Sequence, residues 1–453
     1  MVPAERLMIL GAGGDLTSRY LLPAVVQLAE GRCLPPKLKI VGVDRQDWDT
    51  EQFRRHVEEA LALHASHLAP ESRTEVVERI SYVAGDVTDP DVVSRAFHGT
   101  TAPVLAYMAL PPAVFPPAVS ALSGAGLPER SRVVVEKPFG TDLRSAQALN
   151  RLLHEHFQEE SIFRMDHFLG KQTVQNILGV RFANRIFEPA WSRRHIERVE
   201  IIWDETVALE GRAGYYDHAG ALVDMVQNHL LQLLCFIAME RPARLTEREL
   251  RNAKVDLMRC VRRLSPAEVG TWTRRARYRA GRVSEKDVPD YVNEPGVDPG
   301  NCTETFAAVT MFVENERWDG IPFVLRTGKA IAADRREIRV ICRPSSQLVF
   351  DDGEEPPANR LVLQMDPDRM VLDLALNGRG DPFDLEREQL DLELSPQDLS
   401  PYARLLLDAF EGDPTMSIRG DEAEESWRVV EPILRAWQDG AAPMEEYPAG
   451  STP

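Results

Sequence analysis

The 453-residue chain reads as α/β plus α+β: an N-terminal Rossmann-type, doubly wound domain followed by a domain with a large, mainly antiparallel sheet packed with helices. Three observations predict this. Short apolar runs alternate with helix-like segments over the first 165 residues or so. A glycine-rich turn joins the first of those runs to the first helix. Beyond that point most apolar runs follow one another with no helix between them. A chain of this length exceeds one ordinary core, so two domains are expected, residues 1–165 and 166–453.

The first strand is Leu7-Met8-Ile9-Leu10, the turn Gly11-Ala12-Gly13-Gly14-Asp15, and the helix runs from about Thr17 to Glu30. A second strand, Leu38 to Val43, ends at Asp44-Arg45, which closes a βαβ unit with a right-handed crossover. Further runs at Ile80 to Val83, Val104 to Leu110 and Val133 to Val135 extend a mostly parallel sheet. In the second half, Glu197 to Trp203, Thr305 to Val313, Phe323 to Arg326, Ile338 to Cys342, Leu361 to Met365 and Met370 to Leu376 read as strands. Gly220 to Ala238, Pro401 to Glu411 and Trp427 to Trp437 read as helices, and Asp287 to Gly300, rich in Pro, Gly and acidic residues, as a loop. No internal repeat argues for a solenoid.

Composition bounds the function. Hydrophobic residues make up 43% and charged residues 27%, a globular profile that excludes extensive disorder. The net charge of -18 argues against binding nucleic acid or an anionic membrane, so any phosphate site must be local. No signal peptide fits residues 1–30 and no apolar run is expected to span a membrane, so a cytoplasmic protein is expected. Five scattered cysteines without a C-x-x-C pair read as reduced thiols, and no metal site is expected.

A glycine turn between strand and helix lets backbone approach a pyrophosphate, with the helix N-terminus offering free N–H groups and a positive dipole end. Gly11, Gly13 and Gly14 sit where this requires, although Leu16 stands where a third glycine would complete the usual spacing, and a tight structural turn is the competing reading. At the end of the second strand, Asp44 is placed to bind ribose hydroxyls and repel a 2′-phosphate, while Arg45 would attract one. The plainer reading of Asp44 is a solvated loop carboxylate. Lys137, in Glu136-Lys137-Pro138-Phe139-Gly140, follows a strand at the ligand-binding edge of the sheet, where a surface lysine beside a turn is the alternative.

Two further segments carry histidine in polar settings. In Arg164-Met165-Asp166-His167-Phe168-Leu169-Gly170-Lys171, a helix start or tight turn would set His167 and Lys171 on one face, two donors suited to a phosphate or else a solvated Asp-Lys pair. In the apolar helix that contains His229, Asp224, Asn228 and Gln232 form an i, i+4, i+8 row. Polar groups there must find partners, as a core network or around a wet cavity.

These strings together resemble the glucose-6-phosphate dehydrogenase family. Gly11 to Pro23 follows its G-x-x-G-D-L-x-x-R-x-L-x-P pattern, and Glu136 to Gly140 its E-K-P-F-G. Arg164 to Lys171 follows R-I-D-H-Y-L-G-K, departing at Met165 and Phe168. Glu210 to Asp217, Pro295 to Pro299, Thr303 to Phe306, Arg326 to Lys329, Asn359 to Leu376, Tyr402 to Ala409 and Tyr447 to Ser451 continue the match. The resemblance implies that Gly11, Gly13, Gly14, Asp15, Leu16, Asp44 and Arg45 line the cofactor site. Lys137 then contacts cofactor and substrate, and His167 and Lys171 bind the sugar phosphate. Glu205 and Asp224 bind sugar hydroxyls, Lys329 contacts substrate, and His229 is the general base, paired with Asp166.

The family departures cluster. Tyr20 replaces a usual lysine, Phe168 a tyrosine, and Asp334 a basic residue five positions beyond Lys329, with Arg335 or Arg336 as candidate substitutes. Asp44 stands where the family is usually small and uncharged, which shifts the expectation toward NAD or dual use rather than NADP alone. The implied activity is oxidation of C1 of glucose 6-phosphate to the phosphogluconolactone, a step of the pentose phosphate pathway, in a homodimer or homotetramer. A dehydrogenase of a modified or unphosphorylated hexose is the alternative, and a non-catalytic binding protein a third.

Overall fold

The computed structural model describes residues 3–211, 213–345, 358–380 and 385–453. Arg212, within one of the family strings, lies outside them. The chain forms two compact units. One comprises the residues up to Gln172 with Pro242–Asn252 and Gln397–Glu424; the other comprises Thr173–Arg241, Ala253–Pro396 and Glu425–Pro453.

The first unit is built on six parallel strands: β1 (Arg6–Leu10), β2 (Lys39–Asp44), β3 (Ile80–Ala84), β4 (Val104–Met108), β5 (Arg132–Glu136) and β6 (Ile162–Met165). Their order is β3-β2-β1-β4-β5-β6, the doubly wound arrangement in which ligands gather at the carboxyl ends of the strands. The central strands are apolar on both faces, as a sheet covered on two sides requires; Val133, Val134 and Val135 are fully buried. Sequence patterning yields five of these strands. The sixth was hidden because Ile162–Met165 has only four residues, one of them an arginine.

Helix Pro401–Glu411, far along the chain, belongs to this first unit, where Ala403, Leu406, Ala409 and Phe410 join the core that covers β1. The Ala4 N–H donates to the Phe410 carbonyl at 3.2 Å, tying the helix end to the start of the chain.

The second unit contains β7 (Ile196–Asp204), β8 (Thr273–Arg279), a small hairpin of β9 (Gly281–Val283) and β10 (Lys286–Val288), then β11 (Phe306–Phe312), β12 (Pro322–Gly328), β13 (Arg335–Cys342), β14 (Arg360–Met365), β15 (Asp368–Asn377), β16 (Leu385–Glu393) and β17 (Met444–Pro448). Nine of them form one sheet in the order β16-β15-β14-β13-β7-β12-β11-β8-β17. Pairing is antiparallel except for β7 with β12 and β8 with β17. The expected loop at 287–300 holds the end of β10 and two short 3-10 turns, Tyr291–Asn293 and Pro299–Asn301.

Against β11 and β12 packs a helical stretch, Ala213–Ala238, of 26 residues. It is long and apolar enough to cross a membrane, contrary to the expectation that no run would be, but 94% of its most apolar window is buried inside the protein. It is a core helix. All five cysteines are free thiols.

Candidate functional site

The glycine turn is built by the end of β1 and latched to the end of β2. Gly11 has φ +85°, and a Cβ there would lie 2.3 Å from the Ala109 carbonyl oxygen, so only glycine fits. Its N–H donates to the Val43 carbonyl at 2.9 Å, and the Gly14 N–H donates back to Gly11 at 3.1 Å. Asp44 is no loose loop carboxylate: it is half-buried, Oδ2 accepts the Gly13 N–H at 2.8 Å, and Oδ1 accepts the Arg45 N–H at 2.7 Å. The Arg45 side chain is exposed.

The helix that follows opens with a π-wound turn, Thr17–Leu21, before the regular Leu22–Glu30 stretch. Leu16 packs on the first-unit core, whereas Asp15 is exposed and faces Arg19 at 3.4 Å, an ion pair of little energetic weight. Bare backbone at a strand's carboxyl end, followed by a helix N-terminus, fits a dinucleotide pyrophosphate.

At the same edge of the sheet, Lys137 follows β5 and Asp166 follows β6. Glu136 is buried, accepts the Tyr107 hydroxyl, and is pushed up to about 7 by burial. The same hydroxyl lies 3.2 Å from the Met165 sulfur, so this network ties β4, β5 and β6 together beside Lys137. Asp166, 1% exposed, accepts the Phe168 N–H at 3.0 Å and starts a tight 3-10 turn, His167–Gly170.

Lys171 follows that turn in extended conformation, with its Nζ 5.9 Å from the centre of the buried Phe168 ring. His167 stacks on Tyr402 at 5.6 Å, and Tyr402 on Tyr20 at 5.2 Å. Burial first, then the charges of Glu136 and Asp166, hold the Tyr402 hydroxyl well above its usual range.

In the second unit, the parallel pairing of β7 and β12 sets Asp204 beside Gly328, which brings the next residues together. Glu205 and Lys329 form an ion pair at 2.9 Å, and the Glu205 N–H donates to the Gly328 carbonyl at 2.8 Å. Trp203 Nε1 reaches Glu205 at 3.3 Å, and Lys329 Nζ lies 5.2 Å from the centre of the Tyr216 ring.

Both candidate substitutes for the missing base are engaged in ion pairs. Arg335, together with Arg326, pairs with the buried Asp204 at 3.0 Å, and Arg336 pairs with Asp366 and lies over the Trp203 ring. Asp334 itself accepts the Thr206 N–H at 2.8 Å and thereby shapes the loop after Glu205.

Asp224 and His229 sit in a second π-wound segment, Leu222–Leu230, which begins beside a break at Gly220. Asn228 Nδ2 donates to the Val223 carbonyl, five residues back, at 3.0 Å. The winding displaces the regular i, i+4, i+8 row read from the sequence; such segments recur at functional sites. His229 is 1% exposed, and Asp224 is half-buried. After burial, the charge of Asp224 is the largest influence holding the Tyr216 hydroxyl well above its usual range.

The first unit thus gathers the three glycines, Asp44, Lys137, Asp166, His167 and Lys171 at one sheet edge. The second joins Glu205 to Lys329 and carries Asp224 and His229 on one helix. Sequence reading missed the roles of Tyr402 and Tyr107 as supports; Tyr402 heads a family string, which was the available signal.

A doubly wound domain with this turn, in a chain that also carries a mixed-sheet domain, fits the class of NAD(P)-dependent oxidoreductases. Residues 8–176 match the model for the glucose-6-phosphate dehydrogenase NAD binding domain, and residues 178–453 that for the glucose-6-phosphate dehydrogenase C-terminal domain. Over 98% of its length the chain is 41% identical to glucose-6-phosphate 1-dehydrogenase of Treponema pallidum, covering 91% of that protein, and 41% identical to that of Gluconobacter oxydans, covering 93%. A crystal structure of the Mycobacterium avium enzyme superposes with a TM-score of 0.89 at 35% identity, covering all of this chain and 95% of that one. A glucose-6-phosphate dehydrogenase in complex with its substrate glucose-6-phosphate superposes at 0.91 and 31%, covering all of this chain and 96% of that one. The chain belongs to the glucose-6-phosphate dehydrogenase family.

Proposed function

We propose that this protein oxidises C1 of glucose 6-phosphate to 6-phosphogluconolactone and passes hydride to NAD+ or NADP+, as a step of the pentose phosphate pathway. The observation that carries the reading is the retention of Asp166, His167, Lys171, Glu205, Asp224, His229 and Lys329 in a chain that matches relatives named for this activity over 98% of its length.

Oxidation of a hemiacetal carbon requires loss of the hydroxyl proton as hydride departs. His229 takes that proton, a role suited to histidine at about pH 7, and Asp166 is the carboxylate that steadies the resulting charge. When bound, the nicotinamide supplies the hydride acceptor. Gly11, Gly13, Gly14, Asp15 and Leu16 receive the dinucleotide phosphates, Asp44 and Arg45 its ribose end, and Lys137 serves both ligands. His167 and Lys171 bind the sugar phosphate, Glu205 and Asp224 its hydroxyls, and Lys329 completes the substrate contacts. Cofactor binding falls to residues 1–165, and substrate binding and assembly into a homodimer or homotetramer to residues 166–453. The net charge of -18 and free cysteines agree with a cytoplasmic enzyme.

A second reading, oxidation of a modified or unphosphorylated hexose, is favoured by the loss of phosphate partners at Tyr20, Phe168 and Asp334, while Arg335 and Arg336 are engaged with Asp204 and Asp366. Comparing kcat/KM for glucose 6-phosphate and glucose, each with NAD and NADP, tests both. Higher efficiency on the phosphate supports the first reading, higher efficiency on glucose the second, and saturable binding without turnover overturns both.

A further inference from the structure

The tripeptide Thr303-Glu304-Thr305, just before β11, is buried and holds several elements of the second unit at once. Thr303 Oγ1 donates to the Asp217 carbonyl in helix Ala213–Ala221. The Glu304 carbonyl accepts the Ala221 N–H at 3.1 Å, and Glu304 Oε1 accepts the Leu222 N–H at 2.9 Å. The Thr305 carbonyl accepts the Lys329 N–H at 2.9 Å, while the Thr305 hydroxyl meets the Tyr447 hydroxyl, which donates to the Lys329 carbonyl at 2.6 Å.

Glu304 does a specific job there. The helix is interrupted at Gly220, whose φ of +66° leaves the following turn with open N–H groups, and two of these are the ones Glu304 accepts. The approach is so close that a Cβ on Gly220 would stand 2.4 Å from the Glu304 carboxylate oxygen. Burial pushes this carboxyl up to about 7, against the pull of the N–H groups it accepts. A negative charge is also favoured by the positive end of the helix.

We propose that Glu304 is a positioning residue: by closing the first turn after the Gly220 break it sets the rotation and height of Asp224 and His229, in one frame with the Thr305-anchored backbone of Lys329. This rests on the roles given above to His229 and Lys329. The glutamate touches neither substrate nor cofactor in this account. Its effect reaches the reaction through the helix.

The test compares Glu304→Leu, which fills the space but offers no acceptor, with Glu304→Gln, which keeps a carbonyl oxygen for the Leu222 N–H. Glu304→Leu is expected to lower kcat/KM for glucose 6-phosphate by about ten- to a hundredfold, as small misplacements of reacting groups do, with cofactor affinity unchanged. Glu304→Gln is expected to recover most of that loss. Hydrogen exchange at 221–225 should accelerate in Glu304→Leu and not in Glu304→Gln. Should Glu304→Leu fail to fold, Gly220→Ala, which drives a methyl group into the same carboxylate, is expected to reproduce the loss. Equal activity of the leucine variant and wild type, equal loss in both Glu304 variants, or unchanged exchange would overturn the inference. Absence of turnover in the wild type would instead overturn the proposed function, and the exchange comparison would still decide the role of Glu304.

Discussion

Tyr402 stacks on His167 with ring centres 5.6 Å apart and planes only 11° apart. Tyr20 also stacks on Tyr402, with ring centres 5.2 Å apart. The residue that replaces the family's usual lysine is therefore part of an aromatic stack behind His167, the histidine proposed to bind the sugar phosphate. Removing the Tyr402 ring should loosen His167. Tyr402→Leu is expected to raise the KM for glucose 6-phosphate about two- to tenfold, the worth of one aromatic pair, while Tyr402→Phe leaves it unchanged. Steady-state kinetics with each variant checks this.

Phe168 stands beside the proposed phosphate ligands where the family has a tyrosine, one hydroxyl fewer. Its buried ring sits beneath Lys171 Nζ, 5.9 Å from the ring centre. Phe168→Tyr is expected to lower the KM for glucose 6-phosphate by about fivefold, from a hydrogen bond worth about 1 kcal/mol. The KM for unphosphorylated glucose should not move. A parallel fall for both sugars would mean that the hydroxyl acts elsewhere than on the phosphate.

Asp44 holds the Gly13 N–H and is proposed to face the ribose end of the dinucleotide, where its charge would repel a 2′-phosphate. Asp44→Ala removes the charge and leaves Arg45 to attract that phosphate. The ratio of kcat/KM with NADP to that with NAD is expected to rise at least about tenfold, with some loss in NAD efficiency as the turn loses its latch. An unchanged ratio would show that Asp44 has no part in cofactor choice.

Glu136 makes stability depend on pH. Its carboxyl stands at about 7 in the folded protein because of burial, above the ordinary 4.5 of the unfolded chain. The folded state therefore holds the proton more tightly, and its contribution is full below 4.5 and is lost as pH rises through about 7. Glu304, also pushed up to about 7, acts in the same direction. Thermal midpoints should fall as pH rises across this window, and Glu136→Gln, which still accepts the Tyr107 hydroxyl, should flatten the fall. Identical profiles for variant and wild type would contradict this.

The fold was largely legible because its signals are local. Valine-rich strands between helices and the turn at Gly11 need no partner elsewhere in the chain to be recognised. What escaped notice depends on distant context. β8, Thr-Arg-Arg-Ala-Arg-Tyr-Arg, has too many arginines to look like a strand, yet it pairs with β11 and β17 in the sheet. β16 runs along an exposed edge with little apolar alternation.

At the candidate site, the charged strings could be read directly, but their supports could not. Tyr402 reaches His167 only because helix Pro401–Glu411 returns to the first unit. Arg335, read as a substitute base, is held by Asp204, a residue that sequence pattern gave no reason to think buried. The π winding around His229 has no sequence signature comparable to the strand and turn signals.

The central claim is tested most directly by reduced-cofactor absorbance after adding glucose 6-phosphate and NAD or NADP to the wild-type protein and to His229→Asn. The account predicts turnover by the wild type and a loss of at least about a hundredfold in kcat when the base is removed, with substrate and cofactor still bound. No turnover by the wild type with either cofactor, or an undiminished kcat in His229→Asn, would contradict it.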